Sequence, residues 1–416
     1  MVPAKKSRRT SMSSTIFISA GEASGEHYGA LLIEALKGQL SATGQTAQFF
    51  GMGGERMADA GLERVVRSED MAVMGITEVL RHLPRIYREY RKLKKAIRER
   101  KPDIAVLIDF PDIHFKLAEE LHRLGVPVIF FVSPQLWAWK KHRIELVKKY
   151  VDRMLVIFPF EEPFYRERGV AAEFVGHPLA ELPPPSITRE QFAAENSLDP
   201  QKIWIGLLPG SRSKEIRDNL PEMLRAARKL PGTGFQFLVP LASTLNGKQR
   251  DDVRQLIAIQ GAGLDIRLVD EARAALLHAR ASVVASGTAT VEAALIGNPF
   301  VVVYRVSPLT YAIAKRVVKV PHVAMANLIA GKRVVPELIQ SDFTAANIVQ
   351  QIELLLPDRA PRQSMMEELA AIRGLLNTRL AGQGKECGGA IDRVAAVTLE
   401  VAGLASPAPT AKTVQA

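Results

Sequence analysis

The segment VVASGTATVEAALIGNPFVVVYR, residues 283–305, decides the fold class of this chain. Its apolar runs at 283–285 and 300–304 are typical of buried strands, and the residues at 290–296 have a helical composition. Small polar residues open the helix, and Gly297, Asn298 and Pro299 end it. The order strand, turn, helix, turn, strand predicts an α/β fold.

The same segment predicts an anion site. Ser286, Gly287 and Thr288 lie at the start of the helix, where free backbone N–H groups and the helix dipole attract negative charge. Glu292 follows within the helix, and two interpretations of it stay open. Its carboxylate could accept hydrogen bonds from paired hydroxyls, as on a ribose, or it could be a first-turn acid that balances the dipole.

Composition sets the broad class. The chain has 416 residues, 47% of them apolar and 24% charged, which is enough for two domains with sizeable cores. A net charge of +11 favours phosphorylated or anionic partners, and the single cysteine, Cys387, excludes an internal disulfide framework. No stretch reads as a transmembrane helix or a secretory signal.

The strand–turn–helix pattern repeats on both sides of a proline-rich linker at 183–187. We therefore predict two Rossmann-like domains, with the C-terminal helices packing back on the first domain or on another chain in a homodimer. The predicted boundaries are a disordered basic arm at 1–14, a first domain at 15–182, a second domain at 188–357, C-terminal helices at 358–405 and a disordered tail at 406–416.

Acidic residues follow two predicted strands of the first half. Glu22 lies in the glycine-rich turn after the strand at 15–19, and Asp109 and Asp112 follow the strand at 103–108. Ligand-binding residues collect at the carboxyl ends of parallel strands, so these carboxylates are candidates for a general base. The alternative for Asp112 is that it caps the next helix.

The segment 71–101 combines an apolar, methionine-rich stretch with a basic amphipathic helix. Ten Lys or Arg stand against two acids between Arg81 and Lys101. This pattern favours contact with an anionic membrane surface, and the alternative is a surface helix packed through its apolar face. Nucleic-acid binding is a possible alternative for such a helix, but the segment shows no stacking aromatics in a basic groove pattern, so we predict no nucleic-acid partner.

In the second half, the turn at 209–216 carries Ser211 and Arg212 at the start of a helix. Backbone N–H groups there, together with an Arg fork, suit a diphosphate. The alternative is an ordinary helix cap beside a surface arginine.

Eight motifs follow one another over residues 15–380: SAGEASGEHYGA at 19–30, GMGG at 51–54, DFPDIHFKLA at 109–118, SPQLWAWKKHR at 133–143, FVGHPLAE at 174–181, LLPGSR at 207–212, ASGTATVEAAL at 285–295 and NLIAG with VPELIQ at 327–340. Together and in this order, they resemble the lipid-A-disaccharide synthase family of inverting GT-B glycosyltransferases. This chain has Glu26 where the family more usually has Asp, and His114 where Asn is expected.

The resemblance implies a hexosyltransferase of Gram-negative lipopolysaccharide synthesis, peripheral on the cytoplasmic face of the inner membrane. It implies UDP-2,3-diacylglucosamine as donor and 2,3-diacylglucosamine 1-phosphate as acceptor, with no metal and no cofactor beyond the UDP-sugar substrate.

By the same resemblance, Ser211 and Arg212 bind the diphosphate, and Arg212 helps its departure. Ser286, Gly287 and Thr288 cradle phosphate, Glu292 binds the ribose, and Asn327 and Gln340 lie near the nucleotide. Either Asp109 or Asp112 is the base for the acceptor hydroxyl, with Glu22 on the facing loop.

Two other functions fit the same pattern. A UDP-sugar 2-epimerase would use the same nucleotide half but would leave the segment 71–101 without a purpose. A membrane-associated nucleotide-sugar binder would have kept the fold and lost the base.

Overall fold

The computed structural model describes residues 14–71, 76–242, 245–307, 311, 315–316, 320–377 and 388–404, and for 76–83 and Lys141 it describes the backbone alone. These residues form two compact units. The first runs to Pro178 and also contains the C-terminal helix, and the second begins at Leu179. The predicted tail lies outside the described residues, and so does the predicted arm except for Ser14.

The first unit is built on a seven-stranded sheet in the order β3-β2-β1-β4-β5-β6-β7. Neighbouring strands pair in parallel. The central strands β1 and β4 are mostly apolar and buried because helices cover both faces of such a sheet, and Ser19 is a buried polar residue of β1. The strands are β1 (Ser14–Ala20), β2 (Ala47–Gly53), β3 (Leu62–Arg67), β4 (Ile104–Ile108), β5 (Val128–Phe131), β6 (Arg153–Val156) and β7 (Ala172–Phe174).

Helices connect these strands, and the chain returns to the first unit at its end. The helices are α1 (Ala23–Ala42), α2 (Glu55–Asp59), α3 (Ser68–Met71), α4 (Ile76–Arg100), α5 (Pro111–Arg123), α6 (Ile144–Tyr150), α7 (Glu161–Arg166) and the C-terminal helix. That last helix, Ala390–Val401, packs along α1, where Gln39 Nε2 donates to the Asp392 carbonyl at 3.0 Å. The prediction that the C-terminal helices pack back on the first domain is confirmed for this helix and is wrong for the preceding helix, Ala360–Leu376, which belongs to the second unit.

The second unit contains a six-stranded sheet in the order β10-β9-β8-β11-β12-β13, again parallel. Its strands are β8 (Ile203–Leu208), β9 (Phe235–Pro240), β10 (Ile266–Val269), β11 (Ala281–Ala285), β12 (Phe300–Tyr304) and β13 (Glu337–Ile339). Its helices are α8 (Arg189–Glu195), α9 (Ser213–Lys229), α10 (Gly247–Gln260), α11 (Ala272–His278), α12 (Thr288–Ile296), α13 (Met325–Ala330), α14 (Ala345–Leu355) and α15 (Ala360–Leu376), which makes the C-terminal helix α16.

The deciding segment folds as predicted, because its signals are local. It forms β11, α12 and β12, and Gly297 ends α12 with φ of 83°. The predicted linker at 183–187 lies within the second unit, where Arg273 Nη2 donates to the Pro183 carbonyl at 2.8 Å. The prediction of two Rossmann-like α/β folds is confirmed.

Strand order creates one switch point in each sheet. In the first unit β1 lies beside β4, and in the second unit β8 lies beside β11, with the chain running in opposite directions across the sheet from each pair. Ligands of open α/β sheets bind outside the carboxyl ends of strands at such points. Glu22 and Asp109 follow β1 and β4, and Arg212 and Ser286 follow β8 and β11.

Candidate active site

The first unit brings two acids together at its switch point. Glu22 is the N-cap of α1, and Asp109 follows β4 directly. Burial, and then the negative charge of Glu22, raise the pKa of Asp109 to about 7. A hydrogen bond from the Phe110 N–H lowers this pKa but offsets only part of the rise. A carboxyl group with a pKa near neutrality can take up a proton during a reaction at physiological pH.

Asp112 has a different environment. Its side chain is 70% exposed, forms an ion pair with Arg143, and has Lys140 Nζ 3.8 Å from Oδ1. The interpretation of Asp112 as an N-cap is wrong, because α5 has Phe110 at its N-cap without a side-chain cap and Asp112 lies inside the first turn. Asp112 therefore pairs with two basic side chains, those of Arg143 and Lys140, at the start of α5.

A hydrogen bond and a close contact connect the segment after β1 to the segment after β2. Glu26 Oε1 accepts a hydrogen bond from the Arg56 N–H at 3.0 Å. A Cβ atom on Gly54 would lie 2.3 Å from the Glu26 carboxyl carbon, so a larger residue there would displace this carboxylate. This contact explains why GMGG accompanies the first motif, and it gives Glu26 a structural partner.

The tryptophan loop at 133–143 rests on a buried carboxyl group. Trp137 Nε1 donates to Glu161 Oε1 at 3.2 Å, and the Phe158 N–H donates to Glu161 Oε2 at 3.1 Å. Burial raises the pKa of Glu161 to about 8. Sequence reasoning did not identify Glu161, whose position at the start of α7, the helix that follows β6, was the available signal.

In the second unit, the turn after β8 presents the predicted diphosphate ligands. Gly210 has φ of 122°, and Arg212 is the N-cap of α9 without a side-chain cap. The Glu215 carboxylate accepts hydrogen bonds from the Ser211 N–H at 3.2 Å and from Arg212 Nη1 at 2.9 Å. A carboxylate thus already lies against two of the donors that would hold an anion.

The neighbouring turn after β11 is opened by Gly287, which has φ of 148° and is the N-cap of α12. Ser286 precedes it and Thr288 starts the helix. Glu292 lies beyond the first turn, so its interpretation as a first-turn acid is wrong. Burial raises the pKa of Glu292, although the charge of Arg273 acts in the opposite direction.

Asn327 and Gln340 shape the loops beside β12 and β13. The fully buried Asn327 amide donates to the Val335 carbonyl at 2.9 Å, and its oxygen accepts from the Val334 N–H at 2.7 Å. Gln340 exchanges two hydrogen bonds with the backbone of Val306, at 3.0 and 3.1 Å. Gln340 therefore holds loop backbone at the carboxyl ends of β12 and β13, whereas Asn327 holds the loop that precedes β13.

Within the described ranges, no group of three or more His, Cys, Asp or Glu side chains could hold a metal ion. In the same residues, no helix is both long and apolar enough to cross a membrane.

The fold resembles solved nucleotide-sugar enzymes. A UDP-GlcNAc 2-epimerase from Neisseria meningitidis, solved with UDP-GlcNAc, aligns over 94% of this chain and 100% of its own, with 12% identity and a TM-score of 0.59. The calicheamicin glycosyltransferase CalG4 aligns over 94% of this chain and 99% of its own, with 17% identity and a TM-score of 0.55. At these identities the likeness shows the shared GT-B fold alone.

Sequence comparison is more specific. A lipid-A-disaccharide synthase of Acidobacterium capsulatum is 64% identical over 372 residues, which is 87% of this chain and 92% of that protein. The sequence model of the lipid-A-disaccharide synthetase family matches residues 16–382. The chain is therefore a glycosyltransferase that belongs to the lipid-A-disaccharide synthetase family.

Proposed function

We propose that this enzyme transfers the sugar of UDP-2,3-diacylglucosamine to the 6-hydroxyl of 2,3-diacylglucosamine 1-phosphate. The products are UDP and a β-1,6-linked disaccharide 1-phosphate, with inversion at the anomeric carbon. Family membership supports the reaction. The observation that carries the chemistry is the pKa of Asp109, which its buried position next to Glu22 raises to about 7.

Asp109 is the general base in this proposal. As the acceptor O6 forms its bond to the anomeric carbon, the hydroxyl proton passes to the Asp109 carboxylate. The bond between that carbon and the diphosphate oxygen breaks, and UDP leaves with the electron pair. A base with a pKa near the working pH is largely ionised and still binds a proton strongly, and both properties are needed for such a transfer.

Glu22 and Asp112 have supporting roles. The charge of Glu22 helps to keep the pKa of Asp109 high. Asp112 is open to solvent and is held by Arg143 and Lys140. We assign it to orienting these two cations at the start of α5.

The donor is held by the second unit. Arg212 and the backbone at Ser211 neutralise the diphosphate as it leaves, and the α12 N-terminus at 286–288 adds backbone N–H groups. Glu292 accepts hydrogen bonds from the ribose hydroxyls, and its raised pKa is consistent with a partly buried carboxyl group whose partners arrive with the ligand. Asn327 and Gln340 keep the adjoining loops in shape.

Product analysis tests the reaction. With UDP-2,3-diacylglucosamine and the acceptor 1-phosphate in detergent, we expect equimolar disaccharide 1-phosphate and UDP. EDTA should change the rate by less than about twofold, because an arginine and helix N-termini neutralise the leaving group in place of a metal. UDP release without disaccharide would contradict the transfer, and loss of activity in EDTA restored by Mg²⁺ would contradict metal independence.

Membrane contact through the segment 71–101, on the cytoplasmic face of the inner membrane, is part of the proposal because both substrates carry acyl chains. Residues 72–75 lie outside the described residues. In the described part of α4, Leu93 and Ile97 pack fully buried in the core, so the apolar face there serves packing. Tyr87 is 61% exposed, with Arg91 over its ring at 6.0 Å, and Lys95 is also exposed. These side chains offer an aromatic and cationic surface to lipid headgroups.

Charge reversal tests this surface. Arg91→Glu with Lys95→Glu should reduce co-sedimentation with vesicles containing anionic lipid by at least about tenfold, since each basic residue near such a surface contributes ~1 kcal/mol. The control is Lys248→Glu with Arg254→Glu on α10, which changes the net charge equally in the second unit. Equal losses in both double variants would show that only total charge matters, and binding unaffected by either would remove α4 from the docking surface.

A further inference from the structure

His114 joins the two loops that carry the acids of the first unit. It lies in the first turns of α5 and is fully buried. Its Nδ1 lies 2.5 Å from the carbonyl oxygen of Asp109, and its Nε2 lies 2.8 Å from Oγ of Ser19. Ser19 belongs to β1, three residues before Glu22. One imidazole thus spans the carboxyl ends of β1 and β4 at the switch point.

The hydrogen positions follow from these contacts. A carbonyl oxygen only accepts, so Nδ1 carries the proton that it donates to Asp109. Burial lowers the pKa of His114 to about 4, so the ring is neutral at physiological pH and Nε2 is an acceptor for the Ser19 hydroxyl. His114 is therefore not the base itself.

The backbone that His114 holds is strained. Asp109 and Phe110 have φ of 52° and 51°, in the left-handed region that is unfavourable for a residue with a side chain. The Phe110 ring lies where a Cβ of Gly21 would be, at 2.4 Å, so the loop after β4 packs directly on the loop after β1. Contacts on both sides of Asp109 are needed to keep this conformation.

We propose that His114, fixed by Ser19, is a positioning residue that sets the Asp109 carboxyl group relative to Glu22 and to the attacking hydroxyl. The inference rests on the proposed role of Asp109 as the base. It also gives a physical meaning to a departure from the family motif, in which Asn is expected at this position. An Asn side chain can reach the Asp109 carbonyl but is too short to span to Ser19 as well.

Replacing His114 by Asn or by Gln separates its contact with the Asp109 carbonyl from its contact with Ser19. The amide nitrogen of Asn replaces Nδ1 of histidine, and that of Gln replaces Nε2. We expect His114→Asn to keep kcat within about fivefold, whereas His114→Gln and His114→Ala lower kcat about 10–100-fold, as expected for a misplaced catalytic group. The KM for UDP-2,3-diacylglucosamine should change less than about twofold, because the donor contacts lie in the second unit.

The pH profile gives a readout that a merely structural role would not move. The titratable groups that face Asp109 are Glu22 and, through the Asp109 carbonyl, His114. Wild-type kcat should fall below pH about 7, where Asp109 is protonated. In His114→Ala, water enters and the midpoint should move to lower pH. His278→Ala, which removes another imidazole–carbonyl contact (to Ile187 at 3.0 Å), is the control and should leave the midpoint unchanged.

Nitrogen NMR of His114 adds a test that does not depend on activity. A neutral Nδ1–H tautomer that persists down to pH about 5 is expected, and a charged or Nε2–H ring at pH 7 would overturn the inference. Normal kcat and pH profile in His114→Gln would also overturn it, even while Asp109→Asn is inactive. If Asp109→Asn keeps full activity instead, it is the proposed base that fails.

Discussion

Asp109→Asn is expected to lower kcat about 10³-fold at pH 8, with the KM for the UDP-sugar changed less than about threefold. The amide is close in size to the carboxyl group but cannot take the proton of the attacking hydroxyl. Asp112→Asn is the matched control from the same motif, and its kcat should stay within about fivefold of wild type, because Asp112 is exposed and paired with Arg143. A large loss in Asp112→Asn with an active Asp109→Asn would exchange the two assignments.

The same substitution should make the protein more stable. A carboxyl group whose pKa rises from 3.8 to about 7 on folding binds its proton more tightly in the folded state. Stability therefore falls as pH rises through this window and stays lower above it, by at most about 4 kcal/mol. Asp109→Asn should raise Tm by a few degrees at pH 8 and by little at pH 4. Equal Tm shifts at both values would contradict a buried, ionising Asp109.

The fold could be predicted from sequence because its signals are local. Apolar runs, glycine-rich turns and helix starts gave β11, α12 and β12 directly. Strand order could not be read in the same way, because it depends on pairing between distant segments such as β1 with β4. The switch points, and with them the meeting of Glu22 and Asp109, became visible only in the folded chain.

The choice between Asp109 and Asp112 shows the same limit at the site. The two residues are neighbours in sequence and equally polar, so the motif alone leaves them equivalent. Arg143, 31 residues further along, makes Asp112 an ion-pair partner, and Glu22 on another loop makes Asp109 a weaker acid. Glu161 was missed for the same reason, since its partner Trp137 comes from a different loop.

In the second unit, the sequence predicts an anion site at the turn after β8, but it did not reveal that a carboxylate of the same chain already contacts this turn. The Glu215 carboxylate lies one turn along α9 and binds both the Ser211 N–H and Arg212. A glutamate three residues after the N-cap is also a common helix-capping arrangement. In the proposed mode of binding, the diphosphate would replace these contacts of Glu215, so the affinity for UDP would report the difference between binding the diphosphate and binding the carboxylate.

Arg212→Ala is expected to lower kcat/KM for the UDP-sugar about 10²–10³-fold, the range seen when one donor to a developing negative charge is removed. Because Arg212 would neutralise the diphosphate mainly as it leaves, most of the loss should appear in kcat. Arg212→Lys keeps the charge but loses the planar fork, so it should recover only part of the activity.

Arg254→Ala is the matched control, since Arg254 pairs with Asp251 on α10 in the same i,i+3 geometry as Arg212 with Glu215. Its kcat/KM should stay within about twofold of wild type, because exposed pairs of this kind contribute little to stability. If Arg212→Ala raises KM with kcat unchanged, Arg212 binds substrate and transition state equally, and departure of UDP must be assisted by the helix N-termini instead. If Arg212→Ala matches Arg254→Ala, the arginine is only a surface partner of Glu215, and the diphosphate site must be sought at the α12 N-terminus.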